Sequence, residues 1–268
     1  MNETGQFNYF AASLMPQAKF LKEIYYLAVA RYQLAKKFVK GKIVLDAGCG
    51  AGYGTALLAK AGAKKVYGLD FSLKSIAYCQ SHYQRSNLIF QRQDLTKIEF
   101  PDHFFDCIVI FETIEHIQDF QKAIGELNRV LKPGGKILIS TPNKAVYSPN
   151  TKKVFYPFHY HEFYLEDFQK ILACFNIESI KGQYIRGRKM FLYRPWDPRR
   201  ILRIIYANLP LLLKILITKG YLNIYYWLYE QKILPPSKLK LADVYFSEDL
   251  KYTRVFVAIC TKEKKSDE

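Results

Sequence analysis

The chain has 268 residues, half of them apolar and 16% aromatic, which excludes an intrinsically disordered segment and suffices for one large or two small domains. Its five cysteines (Cys49, Cys79, Cys107, Cys174, Cys260) are scattered with no C-x-x-C pair, and most lie in apolar runs, the pattern of reduced, buried thiols in a cytoplasmic protein. The net charge is +16, and about half of it falls in residues 181 to 220, where ten Lys or Arg face one acid, Asp197. That implies either an anionic partner, nucleic acid or a membrane surface, or a solvated basic face.

The opening Met1-Asn2-Glu3-Thr4 lacks the basic and apolar regions of a signal peptide. Residues 17 to 38 are apolar at Phe20, Ile24, Leu27, Ala28 and Ala35, which predicts a helix within an N-terminal helical segment over residues 1 to 40. Ile43 to Leu45 is a first strand; it ends in Asp46 and enters the turn Gly48-x-Gly50-x-Gly52. A helical pattern through Thr55, Ala56, Leu57, Leu58 and Ala59 follows at once. Strand, glycine turn and helix open a nucleotide-binding βαβ unit, in which glycines let the backbone turn sharply against a ligand. Val66 to Leu69 is a second strand ending at Asp70, and Ser72 can cap the helix through Ile76, Ala77 and Tyr83. Leu88 to Phe90 begins a third strand that ends near Asp94. Cys107 to Phe111, almost wholly apolar, is a fourth, as expected for a strand covered on both faces.

A helix from about Phe120 to Leu131 is stopped by Pro133-Gly134-Gly135, and a fifth strand, Lys136 to Thr141, ends at Pro142-Asn143. One more helix (Leu165 to Phe175) and strand (Ile177 to Ile180) follow. Strands alternating with helices predict a doubly wound, mostly parallel α/β sheet with right-handed crossovers. Residues 190 to 245 break the rhythm, being aromatic, basic and punctuated by proline; strand character returns at Thr253 to Cys260. The whole reads as one domain, residues 1 to 268, with 190 to 245 as a helical insertion.

Counting from Gly48, the third small residue of a dinucleotide fingerprint would fall on Tyr53, so the NAD pattern fails; no G-x-x-x-x-G-K-[ST] occurs, which removes a P-loop. Asp46, Gly48, Gly50 and Gly52 instead resemble motif I (D-x-G-x-G-x-G) of the class I S-adenosylmethionine (SAM) methyltransferases. The resemblance covers roughly residues 25 to 185 and 250 to 262, and implies a seven-stranded sheet whose last strand is antiparallel. It implies that Asp46 orients the methionine end of SAM, that Gly48, Cys49, Gly50 and Gly52 form the cofactor turn, and that Phe71 packs on the adenine. Asp94 and Leu95 would hold the adenine amino group, with Phe111 at the end of the fourth strand also lining the cofactor. Asp70 has independent support, because it ends the second strand, 18 residues past Gly52, near the spacing of an acid that accepts from both ribose hydroxyls. The plainer reading of each acid is a surface carboxylate or a helix cap. Thr4-Gly5, Arg31-Tyr32, Gly52-Tyr53-Gly54, Phe111 to His116 and Ser140 to Asn143 further resemble small bacterial methyltransferases found beside sugar- and glycan-modifying enzymes.

Glu112-x-x-Glu115-His116 follows the fourth strand, where the transferred methyl would point. If it starts a helical turn, Glu112 lies beside Glu115 and His116 on one face, a partial divalent-metal site. This E-x-x-E-H element resembles that of the small-RNA 2′-O-methyltransferases and the ubiquinone-pathway O-methyltransferases. In the RNA enzymes a fourth ligand opens an H-x-x-E-aromatic string, here His159-x-x-Glu162-Phe163, with His161 in reserve. The resemblance thus implies Glu112, Glu115, His116 and His159 as ligands to Mg²⁺ or Mn²⁺, activating a hydroxyl beside SAM. Two alternatives stand: His116 as a metal-free general base assisted by Glu115, and carboxylates that only support the cofactor loop.

Ile201 to Tyr229 is apolar but interrupted by Pro210, Lys214 and Lys219, too short an uncharged run to span a bilayer. Arg199, Arg200 and Arg203 beside Trp196, Tyr225, Tyr226 and Trp227 fit either a segment lying on an anionic membrane or a lid over the substrate cleft. The function expected is a SAM-dependent O-methyltransferase acting on a sugar hydroxyl of a glycan or lipid-linked precursor, in the cytoplasm or at the inner face of the membrane. RNA 2′-O-methylation is the rival activity, and a SAM-binding regulator without catalysis is the rival of another class.

Overall fold

The computed structural model describes residues 22–148, 154, 156, 158–186, 240–250 and 253–263, with positions 205, 209, 210, 213, 216 and 217. Among the described residues eight strands form one sheet: β1 (Ile43–Ala47), β2 (Lys65–Asp70), β3 (Leu88–Arg92), β4 (Phe105–Phe111), β5 (Leu131–Pro142), β6 (Asn176–Ile185), β7 (Val244–Ser247) and β8 (Val255–Thr261). Their order is β3-β2-β1-β4-β5-β8-β6-β7. β1 to β5 run parallel, and β8 is antiparallel to both β5 and β6. The helices are α1 (Lys22–Ala35), α2 (Tyr53–Lys60), α3 (Leu73–His82), α4 (Phe120–Val130), α5 (Lys144–Tyr147) and α6 (Leu165–Ile171).

Alternation along the strands divides the interior in two, since successive side chains point to opposite faces. Val44, Cys107, Val109 and Phe111 join the core beneath α1, α2 and α3, with Ala28, Leu58 and Ile76. Leu45, Ile108 and Ile110 join the core on the other face, with Leu127 and Phe168 from α4 and α6. Apolar residues on both sides of one strand are what a sheet covered by helices on both faces requires. α4 shows the local logic. Asp119 caps it, accepting from Lys122 N at 3.1 Å, and Ala123, Ile124, Leu127 and Val130 form its buried stripe. Burying each large aliphatic there contributes about 1.5–3 kcal/mol.

The expected architecture is corrected at five places. Among the described residues the sheet has eight strands, because Val244–Ser247 adds an antiparallel edge strand on β6, ending the insertion short of residue 245. β5 begins at Leu131 and carries Pro133-Gly134-Gly135 as an irregularity, its register shifting between Phe105 and Cys107. The helix after Leu165 stops at Ile171, and β6 continues to Ile185. The final strand starts at Val255, after Thr253 has turned its hydroxyl onto the Val255 carbonyl at 2.7 Å. The first helix gives way to a 3-10 turn over Lys36–Phe38; residues 17–21, and nearly all of 190–239, lie outside the described residues. Among the described residues no helix is long and apolar enough to cross a membrane.

Candidate active site

The strand order reverses between β1 and β4, the switch point at which ligands bind open α/β sheets beyond the carboxyl ends of the strands. The glycine turn lies there. Gly48, Gly50 and Gly52 have φ of 77°, 51° and 76°, the left-handed region that side chains with a Cβ rarely adopt. Gly48 N and Cys49 N both donate to the Leu69 carbonyl, at 2.8 and 2.9 Å, which ties the turn to the end of β2. A Cβ on Gly50 would meet nothing within 4 Å, so the middle of the turn presents open backbone. A Cβ on Gly54 would stand 2.0 Å from the Tyr32 ring, so glycine there lets α1 close onto α2.

Asp46 is fully buried and accepts from Thr55 Oγ1 at 2.7 Å and from Tyr32 OH at 3.1 and 3.3 Å. Burial pushes its pKa up to about 7 despite those two donors. The carboxyl thereby ties the end of β1 to α1 and α2. Asp70 is held by Gly50 N on one oxygen and Ser72 N on the other, both at 2.9 Å, and burial raises its pKa. Each oxygen keeps a lone pair for a further donor, as contact with two vicinal hydroxyls requires. The Phe71 ring is 56% exposed and backed by the Arg92 guanidinium 5.2 Å from its centroid. Asp94, exposed, accepts from Thr96 N and Oγ1 at 2.8 and 2.9 Å, while Leu95 beside it is buried. Phe111 is buried edge-on against Tyr32, with centroids 5.2 Å apart.

The turn after β4 touches the glycine turn directly, since a Cβ on Gly48 would lie 2.4 Å from the Thr113 side chain. Residues Ile114–His116 form a 3-10 turn rather than the α-helical turn expected, and Glu112 stands outside it at φ 51°. That backbone directs Glu112 onto Ser140, whose hydroxyl donates to Glu112 Oε1 at 2.8 Å. Three of the four expected ligands do converge. Glu115, His116 and His159 each offer an atom within 4.8 Å of the others, and Glu112 is not of that group. His161 is turned away, its Nε2 paired with the Gln118 carbonyl at 3.0 Å.

The donor set suits a divalent cation. Glu115 Oε2 accepts from Thr141 Oγ1 at 3.1 Å, whereas Oε1 is buried with no hydrogen-bond partner among the described residues. Burial first, and the charge of Glu112 second, raise the Glu115 pKa well above the carboxylate range. His116 Nδ1 donates to the Phe158 carbonyl at 3.0 Å, so the neutral ring carries its lone pair on Nε2. Burial, reinforced by His159, lowers the His116 pKa to about 3. A neutral ring with its lone pair on Nε2 is a ready ligand. One carboxylate oxygen with two imidazoles fits a transition ion such as Mn²⁺, Fe²⁺ or Zn²⁺ better than the expected Mg²⁺, which takes oxygen ligands.

The contacts of several supporting residues have no local signal in the sequence. Tyr32 and Thr55 reach Asp46 from two different helices. Arg31, buried in α1, donates to Gln183 Oε1 at 2.7 Å across 152 residues, and Gln183 Nε2 donates back to the Leu27 carbonyl at 2.7 Å. The hint available was a charged residue inside an apolar helix; its partner was out of reach of any local pattern.

Residues 45–139 match the family model described as a methyltransferase domain. A probable SAM-dependent methyltransferase of Mycolicibacterium smegmatis is 36% identical over 155 residues, 57% of this chain and 59% of that one. A ubiquinone biosynthesis O-methyltransferase of Coxiella burnetii is 40% identical over 108 residues, 40% of this chain and 46% of that one. The chain thus spans about half the length of the curated relatives it matches. A solved putative methyltransferase of Bacillus halodurans superposes with a TM-score of 0.56 at 17% identity, covering 88% of this chain and 99% of its own. Residues 45–139 are thus similar in sequence to a methyltransferase domain, and the chain shares its fold with the Bacillus halodurans structure.

Proposed function

We propose that this protein is a SAM-dependent O-methyltransferase that acts on a sugar hydroxyl of a glycan or lipid-linked precursor, with a divalent ion at Glu115, His116 and His159. The observation that carries this reading is the direct contact between the glycine turn and the turn bearing Glu115 and His116, through Gly48 and Thr113. SAM lying along the first turn would bring its methyl group beside the second. When bound, the ion would hold an acceptor hydroxyl and lower its pKa, which suits a vicinal diol. The residues do the rest by position. Asp70 would accept from the ribose, Asp46 would hold the turn rigid through Thr55, and the methyl would pass in line to the oxygen. Transfer to oxygen agrees with the printed name of the Coxiella burnetii relative.

The test is to incubate metal-depleted protein with methyl-labelled SAM and separate fractions of glycan, lipid-linked sugar and RNA, with and without Mn²⁺. Label in the sugar fractions, dependent on Mn²⁺, is expected. Label in RNA would replace the acceptor, activity untouched by chelators would remove the ion, and no S-adenosylhomocysteine with any fraction would leave a cofactor-binding regulator.

For the insertion, Ile205, Leu213, Leu216 and Ile217 favour the membrane-surface reading over the lid. All four are exposed, whereas a lid would bury its apolar face. The basic residues of the same stretch would meet anionic headgroups. Trp196, Arg199, Arg200, Arg203, Lys214, Lys219, Tyr225, Tyr226 and Trp227 lie outside the described residues.

A further inference from the structure

A histidine ligates through one ring nitrogen only if the other holds the proton, so something must choose between its two tautomers. At His116 the Phe158 carbonyl makes that choice. At His159 the neighbour of Nδ1 is Glu162, whose Oε1 lies 3.2 Å away. Glu162 is itself fixed on both oxygens: Ser148 Oγ donates to Oε2, and Tyr156 N donates to Oε1 at 3.3 Å. Its side chain is fully buried, and that of His159 is 6% exposed. Glu162 is not among the side chains whose atoms converge as a possible ligand group.

The support behind Glu162 reaches the sheet. Ser148 directly follows α5, and α5 is capped by Asn143, whose Oδ1 accepts from Ala145 N at 3.0 Å. Asn143 in turn donates through Nδ2 to the Thr253 carbonyl at 2.9 Å and through N to the Arg254 carbonyl at 2.7 Å. A ligand on the loop after α5 is thereby held by the rigid end of β5 and the start of β8. Tyr160 N and His161 N both donate to the Glu115 carbonyl, at 2.9 and 3.2 Å, so the same loop is also stitched to the turn that supplies the other two ligands.

We propose that Glu162, held by Ser148, is a positioning residue that keeps the proton of His159 on Nδ1 and so presents the Nε2 lone pair to a divalent ion shared with Glu115 and His116. The inference rests on the metal reading of this site and goes beyond it by assigning the group that sets the ligand's geometry. A carboxylate can only accept here, which makes the choice of tautomer one-sided; an amide could satisfy either. Removing such an outer partner typically weakens metal affinity about 10- to 100-fold.

Two measurements test this on the full chain. Nitrogen-15 NMR of the metal-free, unmutated protein near neutral pH should show His159 with its proton on Nδ1, and Glu162→Gln should lose that preference. Calorimetric titration with Mn²⁺ should show binding weakened about 10- to 100-fold in Glu162→Gln, and less in Ser148→Ala, with S-adenosylhomocysteine affinity unchanged in both. The NMR result needs no variant to fold. Protonation of His159 on Nε2 in the unmutated protein would overturn the proposal. So would Mn²⁺ binding that is lost in Glu115→Ala yet keeps wild-type affinity in Glu162→Gln. Wild-type protein that takes up no Mn²⁺ would overturn the metal reading itself, and this proposal with it.

Discussion

Replacing Asp46 by Asn will flatten the pH dependence of folding stability on the acid side of neutrality. The Asp46 carboxyl is fully buried, and burial moves its pKa from 3.8 to about 7 against the opposing donors Thr55 and Tyr32. A carboxyl with a raised folded-state pKa keeps a proton that the unfolded chain has already released. Its stabilising contribution is therefore complete below the unfolded value and is lost as pH rises through the folded value. Across about pH 5 to about pH 7.5, linkage gives a loss of about 2–3 kcal/mol for a single group shifted this far. Glu115 and Asp70, also raised by burial, slope the same way, so the variant should lose part of the wild-type slope rather than all of it. His116, whose pKa is lowered from 6.5 to about 3, acts in the opposite sense up to about pH 6.5 and is common to both proteins, and Glu126, Glu162 and Glu178, whose pKa values are lowered, do so at more acid pH. Urea unfolding followed at several pH values would give both curves. Parallel curves for wild type and Asp46→Asn would show that Asp46 is ionised throughout and that its burial does not govern its protonation.

Gly54→Ala should destabilise the fold by about 1–3 kcal/mol, as overpacking does, because its Cβ would stand 2.0 Å from the Tyr32 ring; a thermal melt unchanged from wild type would contradict the packing of α1 on α2. Glu115→Ala and His159→Ala should lower kcat far more than SAM affinity, and equal losses in both would point to a cofactor role for the cluster. If the insertion lies on membranes, the protein should sediment with anionic vesicles at low salt, release at high salt, and lose binding when Arg199, Arg200 and Arg203 become Glu. Wild-type protein indifferent to anionic vesicles at low salt would favour the lid.

The parts of the fold that were legible in the sequence are those written in local pattern. Ile43 to Leu45, Val66 to Leu69 and Cys107 to Phe111 are apolar because both faces of their strands are covered, and the glycines follow β1 because that turn demands positive φ. Ser72 as a cap and Asp70 at a strand end were readable for the same reason. What escaped is set by contact between distant segments. Val244–Ser247 is a strand because β6 offers it an edge, and four residues after an aromatic, basic run carry no such message. Pro133-Gly134-Gly135 signals a stop, yet pairing with β4 carries β5 across it. At the site, Glu115, His116 and His159 met as the motif suggested. Glu112 did not, because a helical spacing rule fails where the residue itself adopts a left-handed backbone.

The central claim, that the glycine turn and Asp70 hold SAM, is tested most directly by calorimetric titration of S-adenosylhomocysteine into wild-type protein and Asp70→Ala, with NAD as the competing ligand. The account predicts that the wild type binds S-adenosylhomocysteine and not NAD. It predicts that the variant, having lost the acceptor fixed by Gly50 N and Ser72 N, binds about 1.5–3 kcal/mol more weakly. Equal affinity in the two proteins, or a wild type that takes NAD instead, would contradict it.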